Sequence, residues 1–359
     1  MFVKKNRQKV DKLIVRPATA NDNTKLIDIE KLTPQGEQIK LVSERKDYFF
    51  RANKFENPIL LVAEDDDQGD ILGIMGVGPV TVRLQGETVH GGLIFDWRSN
   101  PLTQQGLPRH MLRLWQKAQT EIDNQGLKFI FGYVKDDNVR SMTILQKYGA
   151  QSVEEKMFLT MPVHASFCRD RKGMGKVDVA HTIDPELEKR VLEQNFGSLD
   201  LFSEPADATF LAKEREQYMF GKFTYGKSAL KVWDTNAEYS QRVLNMPLLY
   251  KVARPVFSAA SKVIPLPRIP KLGDEIKVWQ LYDLVLNQTD DLPYLLEKVR
   301  LAAIENGIDY LVTCMNAKDP GFDQIAKRAW VRLKYHLFFV PMEDIPLPKA
   351  PTYFDVTYL

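Results

Sequence analysis

The residues best suited to chemistry sit in one stretch, "GGLIFDWRSNPLTQQGLPRHML", from Gly91 to Leu112. Asp96 is a carboxylate inside an apolar, strand-like run. Burial there would raise its pKa toward a value useful for accepting a proton. The competing reading is that Asp96 pairs with Arg98 or points to solvent at the strand end. The loop that follows carries one glycine, Gly106, and one proline, Pro108, and then opens a helical pattern. A helix N-terminus leaves backbone amides free and carries partial positive charge, so it can hold a phosphate without a basic side chain. Gly106 permits close backbone approach. Arg109, in the first helical turn, is disfavoured by the helix dipole unless an anion lies nearby. Pro108 suits that turn but removes one donor. A plain helix-capping turn is the alternative to a phosphate cradle.

Other reactive groups form no pattern. The five histidines, His90, His110, His164, His181 and His336, make no HExxH and no Cys/His pair, and no G-x-S-x-G elbow occurs, so metal chemistry and a serine elbow are unsupported. Cys168 and Cys314 stand far apart with no CxxC, against a disulfide framework or a cysteine zinc site. Basic and acidic residues number 49 and 47, a net charge of +2, so no global field recruits nucleic acid or an anionic membrane. No apolar run approaches the roughly eighteen residues of a membrane span, and no secretory h-region follows the basic N-terminus. A soluble, cytoplasmic protein is the expectation.

The elements that position these residues repeat along the chain. "RHMLRLWQKAQTEIDNQGLKFIFGYVKDDN" (109–138) aligns with "DDLPYLLEKVRLAAIENGIDYLVTCMNAKD" (290–319). Met111, Leu114, Trp115, Ala118 and Ile122 match Leu292, Leu295, Leu296, Val299 and Ala303, the spacing of one buried helix face. Each helix stops at a glycine, Gly126 or Gly307, suited to a left-handed cap. An apolar strand follows each, then a second helix and a closing strand, "KMFLTMPV" or "KYHLFFVPM". Upstream come the strand 12–19, the helix "TKLIDIEKL", a helix-like stretch over 35–53, and the strands "PILLVAED" and "ILGIMGVGPVTVRL" joined by a "DDDQGD" hairpin. The chain length of 359 residues also suits two domains.

This element order, with "VRPATANDN", "FDWRSNPLTQQGLPRHML" and "NVRSMTILQKYGA", resembles the GNAT acyltransferase superfamily. The resemblance implies an α/β (α+β) fold of two GNAT-like domains, each a mixed, mostly antiparallel sheet flanked by helices. Residues 1–168 would form the acyl-CoA-binding domain, 169–175 a linker, and 176–359 a degenerate copy with a basic insertion at 236–273. It also implies acetyl-CoA or another acyl-CoA as co-substrate, without a metal. In the family the cradle reads R/Q-x-x-G-x-G/A; Gly106 takes the central glycine position with Gln104 or Thr103 at the R/Q position, so Gln104, Gln105, Gly106, Leu107 and Arg109 become cofactor contacts, with Pro108 standing where glycine or alanine is expected. Trp97, Arg98, Asn138 and Ser141 join that set.

For catalysis the resemblance implies Asp96 as base and a tyrosine as general acid. The family's tyrosine position holds Leu145, which cannot protonate a thiolate. Tyr148 lies three residues later on the helix and is rotated away, and Tyr133, at a strand end, is the other candidate. The second copy has "LVLNQTDDLPYLL" at the equivalent loop, with Asp290 and Asp291 where a phosphate would sit, so it is not expected to bind CoA in this way. The implied function is N-acyl transfer, and acetyl transfer first, to a small-molecule or peptide amine. The alternatives are a non-catalytic CoA-binding or interaction module, and an acyltransferase working with an acyl carrier protein or at a membrane. The last rests on Arg242, Lys251, Arg254, Lys262, Arg268 and Lys271, six bases with no acid over 241–273, which suit an acidic partner or an anionic surface; no nucleic acid is expected.

Overall fold

The computed structural model describes residues 13–34, 40–102, 109–164, 166–203, 217–247 and 270–358. In the first half they form β1 (Leu13–Pro17), α1 (Asn23–Lys31), β2 (Lys40–Arg45), β3 (Ile59–Asp65), β4 (Asp70–Leu84), β5 (Glu87–Ser99), α2 (Arg109–Asn124), β6 (Phe129–Lys135), α3 (Val139–Lys147) and β7 (Gln151–Pro162). The second half holds α4 (Arg171–Met174), β8 (Asp178–Ala180), α5 (Pro185–Phe196), β9 (Met219–Tyr225), β10 (Ser228–Trp233), β11 (Tyr239–Asn245), β12 (Glu275–Ile276), β13 (Val278–Val285), α6 (Leu292–Glu305), β14 (Tyr310–Met315), α7 (Phe322–Arg328) and β15 (Val331–Pro341).

Twelve strands share one sheet in the order β1, β3, β4, β5, β6, β15, β7, β14, β13, β10, β9, β8. The ladders are mostly antiparallel; β5 with β6 and β13 with β14 are parallel. Each half lends its last strand to the other. β15 runs beside β6 from Pro341↔Phe129 to Tyr335↔Lys135, β7 runs beside β14, and β7 and β15 pair with each other at the centre. The chain junction near residue 170 therefore does not interrupt the sheet.

The repeat seen in the sequence recurs in space. α2 buries Leu114, Trp115, Ala118 and Ile122, and α6 buries Leu292, Leu295, Leu296, Val299 and Ala303. Gly126 (φ 67°) and Gly307 (φ 66°) terminate them in the left-handed region that favours glycine. On the first half, one core lies on the α1 face, with Leu26, Phe55, Phe95, Phe131 and Phe339, and another on the α2 face, with Trp115, Ile130 and Phe338. The final segment returns to the α1 face, where Phe55 stacks on Phe95 (5.5 Å) and on Tyr358 (5.1 Å). Gly76 and Gly78 beneath these rings leave room that any Cβ would take, because it would run into Phe95 or Phe55.

One element departs from expectation. The helix expected over 35–53 does not form across the described residues of that stretch: Lys40–Arg45 is a strand, followed by short 3₁₀ turns at Tyr48–Phe50 and Ala52–Lys54. Its ladder partner is β11 of the other half, from Tyr239↔Arg45 to Asn245↔Lys40. Tertiary pairing outweighs the local helical preference. β11 and β12 come from or adjoin the basic insertion and, with β2, make a second, three-stranded sheet. There Arg242 is held by both oxygens of Glu44 at 2.7 Å. Lys251, Arg254, Lys262 and Arg268 lie outside the described residues. Among those residues no helix is long and apolar enough to cross a membrane.

Candidate functional site

Two strands of the first half begin side by side and then part. β5 and β6 pair at Gly92↔Ile130 and Leu93↔Phe131. Beyond these positions β5 follows β4 as far as Gly73↔Ser99, while β6 follows β15 as far as Lys135↔Tyr335. The result is a V with backbone along both edges. Gly132 stands where the V begins: a Cβ there would lie 3.5 Å from the Cβ and carbonyl oxygen of Ile94.

A bulge sets what faces each side. The β4–β5 register shifts between Gly76↔Phe95 and Ile74↔Arg98, and Asp96 takes φ 48°. Aspartate is one of the few residues that enters this left-handed region at modest cost. The extra residue reverses the alternation of the strand. Leu93 and Phe95 belong to the α1 face and Ile94 to the α2 face. After the bulge, Asp96 and Arg98 bond to the side chains of α1 and β2, whereas Trp97 stacks on Trp115 (5.9 Å) and Ser99 Oγ lies 2.7 Å from His110 Nε2 on the α2 side.

Asp96 sits in a buried charge cluster. Arg45 grips both its oxygens (2.8 and 3.0 Å), Arg98 donates at 2.8 Å and Arg51 at 3.2 Å. Glu30 Oε1 receives Arg45 (3.0 Å) and lies 3.1 Å from Arg98. Arg45 is further fixed between the rings of Tyr48 and Tyr239, at 5.1 and 5.7 Å. Among the described residues, three guanidinium groups stand against two carboxylates, an excess of one positive charge. The hydroxyl of Tyr48, Oε2 of Glu30 and Nε of Arg45 and Arg51 are buried without hydrogen-bond partners among the described residues. A groove of about 590 Å³ between α1 and residues 236–240 is lined by Arg45 and Tyr239 among others.

This cluster corrects the expectation of a raised pKa at Asp96. Burial pushes its carboxyl up, but Arg45, Arg51 and Arg98 together outweigh that and hold it well below the ordinary carboxylate range. The pairing with Arg98, offered by the sequence as the competing reading, is present. An anion so held is a weak proton acceptor.

The remaining candidates divide between the faces. Tyr133, on β6 past the start of the V, packs with the α1-face core beside Phe131 and Phe354. Its phenol is pushed well above its ordinary value by burial, with lesser help from Cys314 and Glu154. Tyr148 lies on the opposite face against Trp115, at 5.4 Å, so the structure brings Asp96 and Tyr133 to one side and leaves Tyr148 on the other. Leu145 is core, 6% exposed. Asn138 caps α3 by accepting Ser141 N–H (3.2 Å), and Arg109 is exposed at the start of α2. Gln104, Gln105, Gly106 and Leu107, with Pro108, lie outside the described residues. Sequence reasoning passes over Arg45, Tyr48 and Arg51, for which the charged and aromatic run "SERKDYFFR" is the available signal, and over Glu30, the glutamate within "TKLIDIEKL". It also passes over His110, which burial lowers to about 4.

The second half preserves the same device. Asp283 also takes φ 48°, at a register shift between Ala229↔Val285 and Lys231↔Tyr282. The β13–β14 ladder ends at Leu281↔Thr313, while β14 continues along β7 to Met315. Here Lys231 (2.7 Å) and the hydroxyl of Tyr353 (2.6 Å) close on the carboxylate. The loop before α6 is tied to β10: Ser228 donates to Asp291 (2.6 Å) and accepts from the backbone of Asn287 (2.8 Å).

No protein-family model matches the chain, and no curated protein matches it by sequence. Solved structures are similar in fold. N-myristoyltransferase of Saccharomyces cerevisiae with bound myristoyl-CoA aligns at TM-score 0.61 and 9% identity, covering 99% of this chain and 89% of that one. A further structure of that enzyme gives 0.59 at 9% identity, over 93% and 80%. A GCN5-related N-acetyltransferase from Kribbella flavida gives 0.51 at 9% identity, over 92% and 71%. With the bulge and the parting strands present in both halves, these likenesses give the fold: the chain has a tandem GNAT-like fold built on one continuous sheet.

Proposed function

We propose that this protein is an acyl-CoA-dependent N-acyltransferase whose donor site is the V between β5 and β6. The observation that carries the reading is the coincidence of that V with the left-handed bulge at Asp96. The residues around it suit a long, partly polar chain ending in phosphates. Trp97 Nε1 is buried on the α2 side of the V without a partner among the described residues, and Arg109 is exposed at the start of α2. The thioester supplies the acyl group. The amine nitrogen forms a bond to the acyl carbon, the carbon–sulfur bond breaks, and one proton passes in net from amine to sulfur.

Tyr133 is assigned the donation of that proton, since burial keeps its phenol protonated. Asp96, held ionised, positions Arg45, Arg51 and Arg98 and leaves amine deprotonation to water. Acetyl-CoA is the first donor to test, followed by longer acyl-CoAs. The second half, with its helix start filled by Asp291 and Ser228, is assigned no donor site.

The test is thermal stabilisation by acyl-CoA together with thiol release in the presence of an amine panel. Stabilisation that Gly106→Asp removes, and thiol release that Tyr133→Phe lowers about 100-fold, support the reading. Absence of stabilisation by every acyl-CoA refutes it. A second reading, a CoA-binding module without turnover, is favoured by one observation, Leu145 at the family's tyrosine position; binding without thiol release would select it.

A further inference from the structure

Among the described residues the charge cluster on the α1 face holds one more guanidinium than carboxylate. Burying three guanidinium groups against two carboxylates is unfavourable unless a further anion or good hydrogen bonds complete the set. The excess has a direction. Arg45 is 2% exposed and bound to both Asp96 and Glu30, whereas Arg51 and Arg98 retain 20% and 17% exposure. Among the described residues Arg51 makes one long bond, 3.2 Å to Asp96, and its Nε has no partner. The Tyr48 hydroxyl beside them is also unpartnered, in a side chain only 1% exposed. Spare donors on Arg51 and Tyr48 thus belong to the same cluster as Asp96, where Arg98 is engaged by Asp96, Glu30 and, at 3.5 Å, the hydroxyl of Thr33. Glu30 Oε2 is a spare acceptor in the same cluster.

We propose that the acceptor is a small amine bearing a carboxylate, and that Arg51, Arg98 and the Tyr48 hydroxyl bind that carboxylate beside Asp96. This rests on the acyltransferase reading and names the substrate class of its site. One carboxylate cancels the excess charge of one, and a planar guanidinium fork matches its geometry. A phosphate near its dianionic form would leave the desolvated cluster with a net negative charge. The unpartnered Glu30 oxygen suits an N–H of the same molecule. The groove between α1 and residues 236–240 reaches the cluster at Arg45 and Tyr239, so both halves border the approach.

The experiment uses the full chain and calorimetric titration without acyl-CoA. The probes are α-, β- and γ-amino acids and dipeptides, each paired with its carboxamide, together with inorganic phosphate. At least one acid is expected to bind about tenfold or more tightly than its amide, because charge-assisted bonds are lost in the amide. Tyr48→Phe is the discriminating variant. Its hydroxyl makes no hydrogen bond in the free protein, so the melting temperature stays level or rises, while affinity for the acid falls about tenfold. Arg51→Gln lowers the same affinity. Equal binding of acids and amides across the panel, phosphate binding as well as the acids, or undiminished acid affinity in Tyr48→Phe would each overturn the proposal. A parallel titration with acyl-CoA separates the two claims. Acyl-CoA binding with indifference to the carboxylate overturns the substrate class alone, and absence of acyl-CoA binding removes the reading beneath it.

Discussion

Replacing Asp96 by asparagine is the sharpest perturbation of the site's architecture. Asparagine enters the left-handed region about as readily as aspartate, so φ 48° is retained and the change isolates charge. Asp96 is 1% exposed at its side chain and receives three arginines, of which Arg45 is 2% exposed. Neutralising it raises the cluster's excess from one positive charge to two, with Glu30 as the remaining anion. Removing one partner of a buried ion pair costs about 3–5 kcal/mol. For a chain of 359 residues unfolding as one unit, that corresponds to a melting temperature about 5 °C lower. Urea unfolding followed by far-ultraviolet circular dichroism measures the loss directly. A loss below about 1 kcal/mol, the range of exposed pairs, would refute the charge balance assigned here. Unchanged stability with abolished thiol release would make Asp96 the base after all.

Three further outcomes follow from the same geometry. Stability should fall as pH drops from about 6.5 to about 4: the unfolded chain protonates His110 below its ordinary value, and the folded chain resists until about 4. The difference amounts to about 3 kcal/mol at most, and His110→Gln, compared by chemical unfolding at each pH, should flatten that window. Leu145→Tyr, which writes in the family's tyrosine, should destabilise by about 1–3 kcal/mol through overpacking of the α2-face core and leave thiol release no faster. Gly132→Val should weaken acyl-CoA binding about tenfold or more by intruding on the V beside Ile94, with the melting temperature changed by only about 1 °C, as checked by titration and scanning fluorimetry.

The readable parts of the sequence are those with a period and a partner nearby. The faces of α2 and α6 follow helical spacing, and Gly126 and Gly307 mark their ends, so residue spacing alone aligns the repeat. The bulge is not readable. Leu93, Ile94 and Phe95 are apolar on both faces of a sheet covered on each side, so there is no alternation whose reversal would betray an extra residue at Asp96. Asp283 is hidden for the same reason, and its match to Asp96 emerges from the two register shifts. β2 reads as helix because the strand that stabilises it lies in the other half. That misreading conceals Arg45 and Arg51, and without them Asp96 looks like a buried carboxylate of raised pKa.

Calorimetric titration of the full chain with acetyl-CoA and a series of longer acyl-CoAs tests the central claim most directly. The first-half V and the filled helix start of the second half predict one molecule bound per chain, held about tenfold or more weakly in Gly132→Val. Two molecules per chain, or none with any acyl length, would contradict the account.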